Sequence, residues 1–482
     1  VPEDAFLTKA DGWEGEDLRQ ARWWIASCCE KDGINDRLNG TNAGFLTSKE
    51  VSARLRPNSS GRGITKKGGE GMKKITGLVI LFVLVACSVS HAGRTSTNKP
   101  ATWSRAVNSK PLSKNVERGL SWLALHQHKN GGWSQGEESA AMSALSNNIQ
   151  DIPNVAETSI AALALIRAGS TPKGGRYAQN VKRAVEFVCS EVEQSDEKSL
   201  SITKLQGTRV QTKLGPYIDT FLASLLLAEV KGKMPDVKSE KRAEKAADKV
   251  LDKIARNQKE NGTWDERGWA PVLSQSMASK ALNRAAQVGQ RVSEKARVQA
   301  ESYARQQYDS ASGKFEGKGS AGVALYSAAG NLGAMQQSAN TDIEGEKIAK
   351  EKVRTGKTEQ ERKEAQAVLQ RIKGNREDLS SAKRAIAKNL KDKQFVSGFG
   401  SNGGEEYLSY MNIGESLVME GGKEWREWDT SMTQNLNRIQ NKDGSWTGHH
   451  CITGRTFCTA AALLALMVDR APRPLAKDIK RS

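Results

Sequence analysis

Four side chains suited to metal or nucleophilic chemistry sit within ten positions near the end of the chain: His449, His450, Cys451 and Cys458. Imidazole and thiolate are the usual zinc ligands, so the cluster is a candidate metal site and zinc is the cofactor it would take. Two more histidines, His126 and His128, flank an earlier turn that resembles the one before His449. Other readings need no metal. Cys451 and Cys458 can form a local disulfide, which an exported protein keeps. Cys458 can be a small buried residue of a helix. A Cys–His pair would make a nucleophile, with His449 or His450 taking the thiol proton.

Carboxylates supply the second set of candidates. Glu405 and Glu406 follow a glycine pair, and Asp219, Glu157 and Glu415 fall within apolar helical stretches. Two acids facing each other across a cavity would suit glycoside hydrolysis. Acids on inner helices also cap helix ends or pair with arginine. The glycine-rich stretch at 399–406 lacks the Gly-Lys-Ser/Thr ending of a phosphate loop.

The elements that would position these groups are legible from a repeat. Gln127, Gly131 and Trp133 share the spacing Gln-x3-Gly-x-Trp with Gln258, Gly262 and Trp264, and with Gln440, Gly444 and Trp446. A weakened fourth copy lies at 306–315. Around these turns, amphipathic stretches alternate with stretches apolar around most of their circumference, the latter marking buried helices. The predicted pairs are 115–127 with 155–169, 180–194 with 217–230, 244–258 with 273–288, 294–307 with 320–334, 378–393 with 407–420, and 424–440 with 456–469. Residues 342–377 are charged and strongly helix-forming, and read as an inserted helical hairpin.

Six hairpins whose second helices are buried pack economically as an inner and an outer ring. The expected fold is therefore all-α, an α/α toroid of six helical hairpins over 115–470. Glycine permits the turn, tryptophan packs between hairpins, and the glutamine amide suits exposed helix-end groups.

The address is read from Met72 onward. Two lysines, an apolar run at 75–86 and then small residues make 72–92 a secretory signal peptide. The run is too short to span a membrane comfortably. Cys87 stands in a lipobox-like context, so the exported protein is expected to be periplasmic, membrane-anchored through lipidated Cys87, or secreted. Translation is expected to begin at Met72, with 1–71 a mis-called, disordered extension; 93–114 reads as a tether and 471–482 as a basic tail. Residues 1–71 carry no net charge, so the formal +18 of the chain lies entirely in the body. A basic body favours an anionic membrane surface or an envelope polymer; nucleic acid is not the expected partner.

The three turns, QHKNGGW, QKENGTW and QNKDGSW, resemble the repeats of the squalene–hopene cyclase and protein prenyltransferase superfamily. The likeness is closest to secreted bacterial proteins with prenyltransferase/squalene oxidase-type repeats. It implies a terpenoid cyclase/protein prenyltransferase-like toroid and, were activity retained, chemistry on an isoprenoid or other apolar ligand in a central cavity. The family's Asp-x-Asp-Asp acid, the Asp-Asp-x-x-Asp metal motif and the Asp-x-Cys zinc motif do not occur here. The inner helices also offer few of the aromatics that would stabilise a carbocation: Tyr217, Phe221, Tyr326, Tyr407, Tyr410 and Phe457. The expectation is a binding or scaffold protein of the cell envelope. A cyclase- or prenyltransferase-like enzyme and a glycan-active enzyme are the alternatives.

Overall fold

The computed structural model describes residues 103–105, 107–139, 142, 149–400 and 402–474. The expected extension, the signal segment with Cys87 and most of the C-terminal tail lie outside them. Amphipathicity builds the outer helices: α1 (Lys114–Leu125), α3 (Ala178–Gln194), α6 (Val237–Arg256), α8 (Glu294–Gln306), α10 (Glu359–Asn389) and α13 (Lys423–Arg438). In α6, for example, Ala243, Ala246, Ala247, Val250, Leu251 and Ile254 form one buried stripe, Lys253 beside them is buried with its ammonium on the Ser199 and Ser201 carbonyls, and the other charged residues are exposed or half-buried. The alternating partners α2 (Val155–Arg167), α5 (Ile218–Val230), α7 (Pro271–Gln287), α9 (Ala324–Thr355), α12 (Gly404–Leu417) and α14 (Arg455–Leu466) are apolar or small-residue-rich, and all fourteen residues of α12 are buried.

These six inner helices close on themselves. Each packs on the next, α2 on α5, α5 on α7, α7 on α9, α9 on α12, α12 on α14, and α14 returns to α2. The outer helices lie over this ring, with α1 packed against both α14 and α2. Short helices α4 (Arg209–Leu214) and α11 (Lys393–Ser397) lead into α5 and α12.

The three Gln-x3-Gly-x-Trp turns share one set of contacts. Each glutamine Nε2 donates to the carbonyl of its own glycine, at 2.8, 3.0 and 2.7 Å for Gln127, Gln258 and Gln440. Each also donates to a carbonyl in the first turn of the following outer helix: Asn180 at 2.9 Å, Ala296 at 2.9 Å and, across the ring closure, Asn115 at 2.8 Å. The indole N–H groups of Trp133, Trp264 and Trp446 reach the carbonyls of Leu123, Ile254 and Leu436, each at 2.8 Å. The glycines have φ of +91°, +88° and +97°, and a Cβ on any of them would press into the backbone of that next helix, at Arg183, Gln299 or Arg118. Glycine is thus required both for conformation and for close approach. In the fourth turn a two-stranded hairpin, β2 (Tyr308–Asp309) and β3 (Lys314–Phe315), replaces the motif, with the Tyr308 and Phe315 rings 4.9 Å apart.

Two boundaries differ from expectation. Residues 342–377 do form a helical hairpin, with two packed helical segments joined by the turn at 356–358, but it is not an element set apart from the helix pairs on either side. Their helix-forming composition simply continues α9 and begins α10, so the inner helix of the fourth pair and the outer helix of the fifth are lengthened into an arm. Arg371 ties its base to Asp342 and Glu301, and Arg297 adds a second contact to Asp342 at 3.3 Å. The stretch expected to be a free tether is partly docked: β1 (Trp103–Arg105) pairs antiparallel with β4 (Pro472–Pro474), and the Lys110 amide donates to Asp469 at 2.7 Å.

Candidate functional site

The inner helices run in one direction, so their N-terminal turns gather at one mouth of the ring, and the predicted acids lie there. Asp219, in the first turn of α5, accepts from the Ala156 amide at 2.9 Å and from Gln211 at 2.8 Å. It thereby joins α4, α5 and the start of α2. Burial holds its carboxyl up at about 6 despite both hydrogen bonds. Glu157, in the first turn of α2, is 1% exposed, and neither carboxylate oxygen has a hydrogen-bond partner. Burial, then the charges of Asp219 and Glu138, push its pKa well above the usual carboxylate range.

Glu405 and Glu406 open α12 and are fully buried. Glu405 Oε2 accepts from the Ile452 amide at 3.3 Å. Glu406 Oε1 accepts from the Tyr326 hydroxyl and from the Phe399 amide, the latter at 3.1 Å. His450 Nε2 stands 3.7 Å from Glu406 Oε2. A helix N-terminus favours carboxylates, yet burial prevails and both acids are raised to about 7. For Glu405 the charge of Glu406 adds to burial and His450 opposes it; for Glu406 the Tyr326 and Phe399 hydrogen bonds oppose burial. A Cβ at Gly398 would run into the Glu406 carboxylate, so glycine is needed where the chain crosses above it. Carboxyls that titrate near neutrality beside a phenol and an imidazole are suited to proton transfer.

The axis of the ring is occupied. Glu415 on α12 accepts from Arg167 of α2 at 2.7 Å and from Lys280 of α7 at 2.5 Å. These are alternate members of the inner ring, so the contacts cross its centre. Burial alone would raise the Glu415 pKa, but the charges of Lys280 and then Arg167 outweigh it and hold it at about 2. The same burial pulls Lys280 below its usual range, and its pairing with Glu415 keeps it an ion pair. Asn412 of α12 reaches Ser276 of α7 at 3.2 Å in the same span. A cleft of ≈110 Å³ bounded by Leu112, Leu120, Gly169 and Tyr177 lies toward the opposite mouth, and a void of ≈10 Å³ lies beside Trp264. Both are far below the roughly 300–1,000 Å³ of ligand pockets.

The histidine–cysteine cluster does not converge. Cys451 and Cys458 are thiols and form no disulfide. Their spacing spans a loop and the start of α14, which turns Cys458 Sγ onto the Ile452 carbonyl at 3.3 Å. Burial, with Glu405 and Glu157 adding to it, pushes that thiol well above its usual range, the reverse of an activated nucleophile. Among the described residues no group of three or more His, Cys, Asp or Glu side chains is placed to hold a metal ion. His126 stacks on Trp122 at 4.0 Å, His128 Nε2 meets Ser134 at 3.0 Å, and the His449 main-chain amide donates to Asn402. Sequence reasoning missed Arg167 and Lys280; the available signal was a lone lysine in the otherwise uncharged run from 271 to 283.

No family model matches this chain, and no curated protein matches it. Among solved structures it is similar to the type II terpene cyclase MstE from Scytonema without ligand, at 12% identity over 74% of this chain and 97% of that one, TM-score 0.43. It is similar to an Asp-to-Ala variant of that cyclase in complex with merosterolic acid A (12%, the same coverage, TM-score 0.42). It is also similar to an Arg-to-Ala variant with geranylgeranyl dihydroxybenzoate (13%, TM-score 0.41). The closed ring described above rests on its own helix contacts and not on these likenesses.

Proposed function

We propose that this chain is a binding or scaffold toroid of the cell envelope. The observation that carries the reading is the Arg167–Glu415–Lys280 triad on the ring axis. An isoprenoid held at the centre would have to displace three buried charges, each costly to strand. Buried polar side chains of the inner helices α7 and α9, among them Ser276, Ser279, Asn283, Asn331 and Asn340, further disfavour an apolar ligand there. The signal-peptide-like sequence of 72–92 and the basic charge of the body support a role at an anionic envelope surface.

The test pairs a turnover assay with a binding assay on purified protein. Incubation with squalene and with geranylgeranyl diphosphate is expected to give no product by mass spectrometry, while the protein co-sediments with anionic vesicles or isolated wall polymer. A cyclised or transferred product overturns the reading. One specific observation favours a second reading, an acid–base enzyme acting on a glycan: Glu405 and Glu406, raised to about 7, stand beside Tyr326 and His450. Hydrolysis of chromogenic glycosides by the wild type, lost in Glu406→Gln, would establish it.

A further inference from the structure

The segment 447–453 is the half of the sixth turn that the other turns lack; its two ends are anchored by Thr447 to Asn441 and by Thr453 to Ser139 and Glu138, and its middle lies against the start of α12 and the acid pair there. The Ile452 amide donates to Glu405, and the Ile452 carbonyl accepts from the Gly404 amide at 2.9 Å and from Cys458. The His449 amide donates to the Asn402 carbonyl at 2.7 Å. His450 faces Glu406 at 3.7 Å and packs edge-on against Phe399 at 5.2 Å. Between them Cys451 is held at φ +57°, a left-handed conformation that a residue with a Cβ adopts only when its surroundings impose it. The loop is thus a strained segment laid directly over two carboxyl groups.

We propose that residues 447–453 are a pH-sensitive latch over the N-terminal mouth of the ring, closed while Glu405 and Glu406 hold protons and released when both ionise. This goes beyond the proposed function and holds for a scaffold or an enzyme alike. The groups facing the pair come from every neighbouring element: Tyr326 from α9, His450 and Cys451 from the latch, Cys458 from α14 and Lys213 from α4. Glu157 of α2 bears on the same Cys458. Of these, His450 and Lys213 oppose the negative charge of Glu405, and neither prevents burial from dominating.

The sign follows from linkage. In the closed state the acids titrate at about 7 against an ordinary 4.5. An opened latch returns them to water and to their ordinary value. The closed form binds more protons, so it is fully favoured below about pH 4.5 and loses its advantage as pH rises through 7. Each acid contributes roughly a 27-fold change between pH 5.5 and 8, so for the pair a several-hundred-fold change in the open-to-closed ratio, on the order of 700-fold, is expected.

Hydrogen exchange of the full-length protein, read on peptides covering 447–454 and 402–406 and corrected for the intrinsic rate at each pH, measures the opening. Protection is expected to fall several-hundred-fold, on the order of 700-fold, from pH 5.5 to 8, while the outer helix α6 stays unchanged. In the Glu405→Gln/Glu406→Gln double variant it is expected to be flat. Constant corrected protection in the wild type overturns the proposal, as does an undiminished fall in a folded double variant. Should the double variant not fold, the wild-type profile together with Glu406→Gln alone decides it.

Discussion

Gln440 and Asn115 stand 325 positions apart and exchange two hydrogen bonds: Gln440 Nε2 donates to the Asn115 carbonyl at 2.8 Å, and the Asn115 side-chain amide returns one to Gln440 Oε1 at 2.7 Å. The same residue that closes a local turn therefore closes the ring. In the first and third turns the equivalent glutamine joins neighbouring hairpins, whereas here it joins the last hairpin to the first.

Replacing Gln440 by alanine strands the carbonyls of Gly444 and Asn115 and is expected to cost about 2 kcal/mol. Because the clasp unites the two ends of the helical ring, Gln440→Ala should raise hydrogen exchange in α1 and α14 together, while Gln258→Ala should act on α6 and α8. Gly444→Ala should cost more than Gln440→Ala, since the residue has φ +97° and a Cβ would meet the Arg118 backbone. Denaturant melts of the three variants check the order.

The motif tryptophans can be tested by keeping the ring and removing only the N–H. Trp133→Phe and Trp446→Phe leave the buried carbonyls of Leu123 and Leu436 without their donors. A loss of about 1–3 kcal/mol is expected for each, by thermal or chemical unfolding. Trp→Ala should cost more, because the space each fully buried indole fills cannot collapse.

What was legible in the sequence is what local spacing encodes. The turns announced themselves because glutamine, glycine and tryptophan act within seven positions, and the alternation of amphipathic and buried helices follows from one stripe or none. Contacts between distant helices left no such trace. Nothing near Glu415 announces Arg167, 248 positions away, or Lys280, 135 away. The disulfide reading failed for a related reason: the spacing of Cys451 and Cys458 does not fix side-chain direction where a loop with a left-handed residue enters a helix. Charge composition identified 342–377 as unusual but could not distinguish a separate hairpin from two helices that simply run on.

The triad makes a prediction with a definite pH window. Glu415 is held at about 2 against 4.5, so its contribution, on the order of 3 kcal/mol, is fully present above pH 4.5 and lost as pH falls toward 2. Glu415→Gln should flatten the acid side of the Tm–pH profile. Glu415→Ala at pH 7 should cost about 3–5 kcal/mol, because it leaves Arg167 and Lys280 buried without a counter-ion.

Thiol chemistry offers an independent check on the cysteines. Burial pushes Cys189 up to about 12 and holds Cys458 well above its usual range. Both should resist iodoacetamide in the folded protein at pH 7.5 and react once it is denatured, as read by peptide mass spectrometry. Recovery of a Cys451–Cys458 disulfide peptide from freshly purified protein would contradict the thiol state.

Glu157 gives the most pointed test, because it is buried with both oxygens unpartnered. Its folded pKa lies above the unfolded value, so its protonated form is compatible with the fold at low pH and the site loses stability as pH rises above 4.5. Glu157→Gln removes the titration while keeping the shape. Near pH 4.5 the variant should unfold within about 1 kcal/mol of the wild type, the residual difference reflecting the buried amide. As pH rises above 4.5 the balance should shift in the variant's favour, leaving it the more stable of the two at pH 8. Thermal melts of both proteins at half-unit pH intervals measure the gap. A variant that is destabilised at pH 8 would overturn the protonated, unpartnered state of Glu157 in the folded protein.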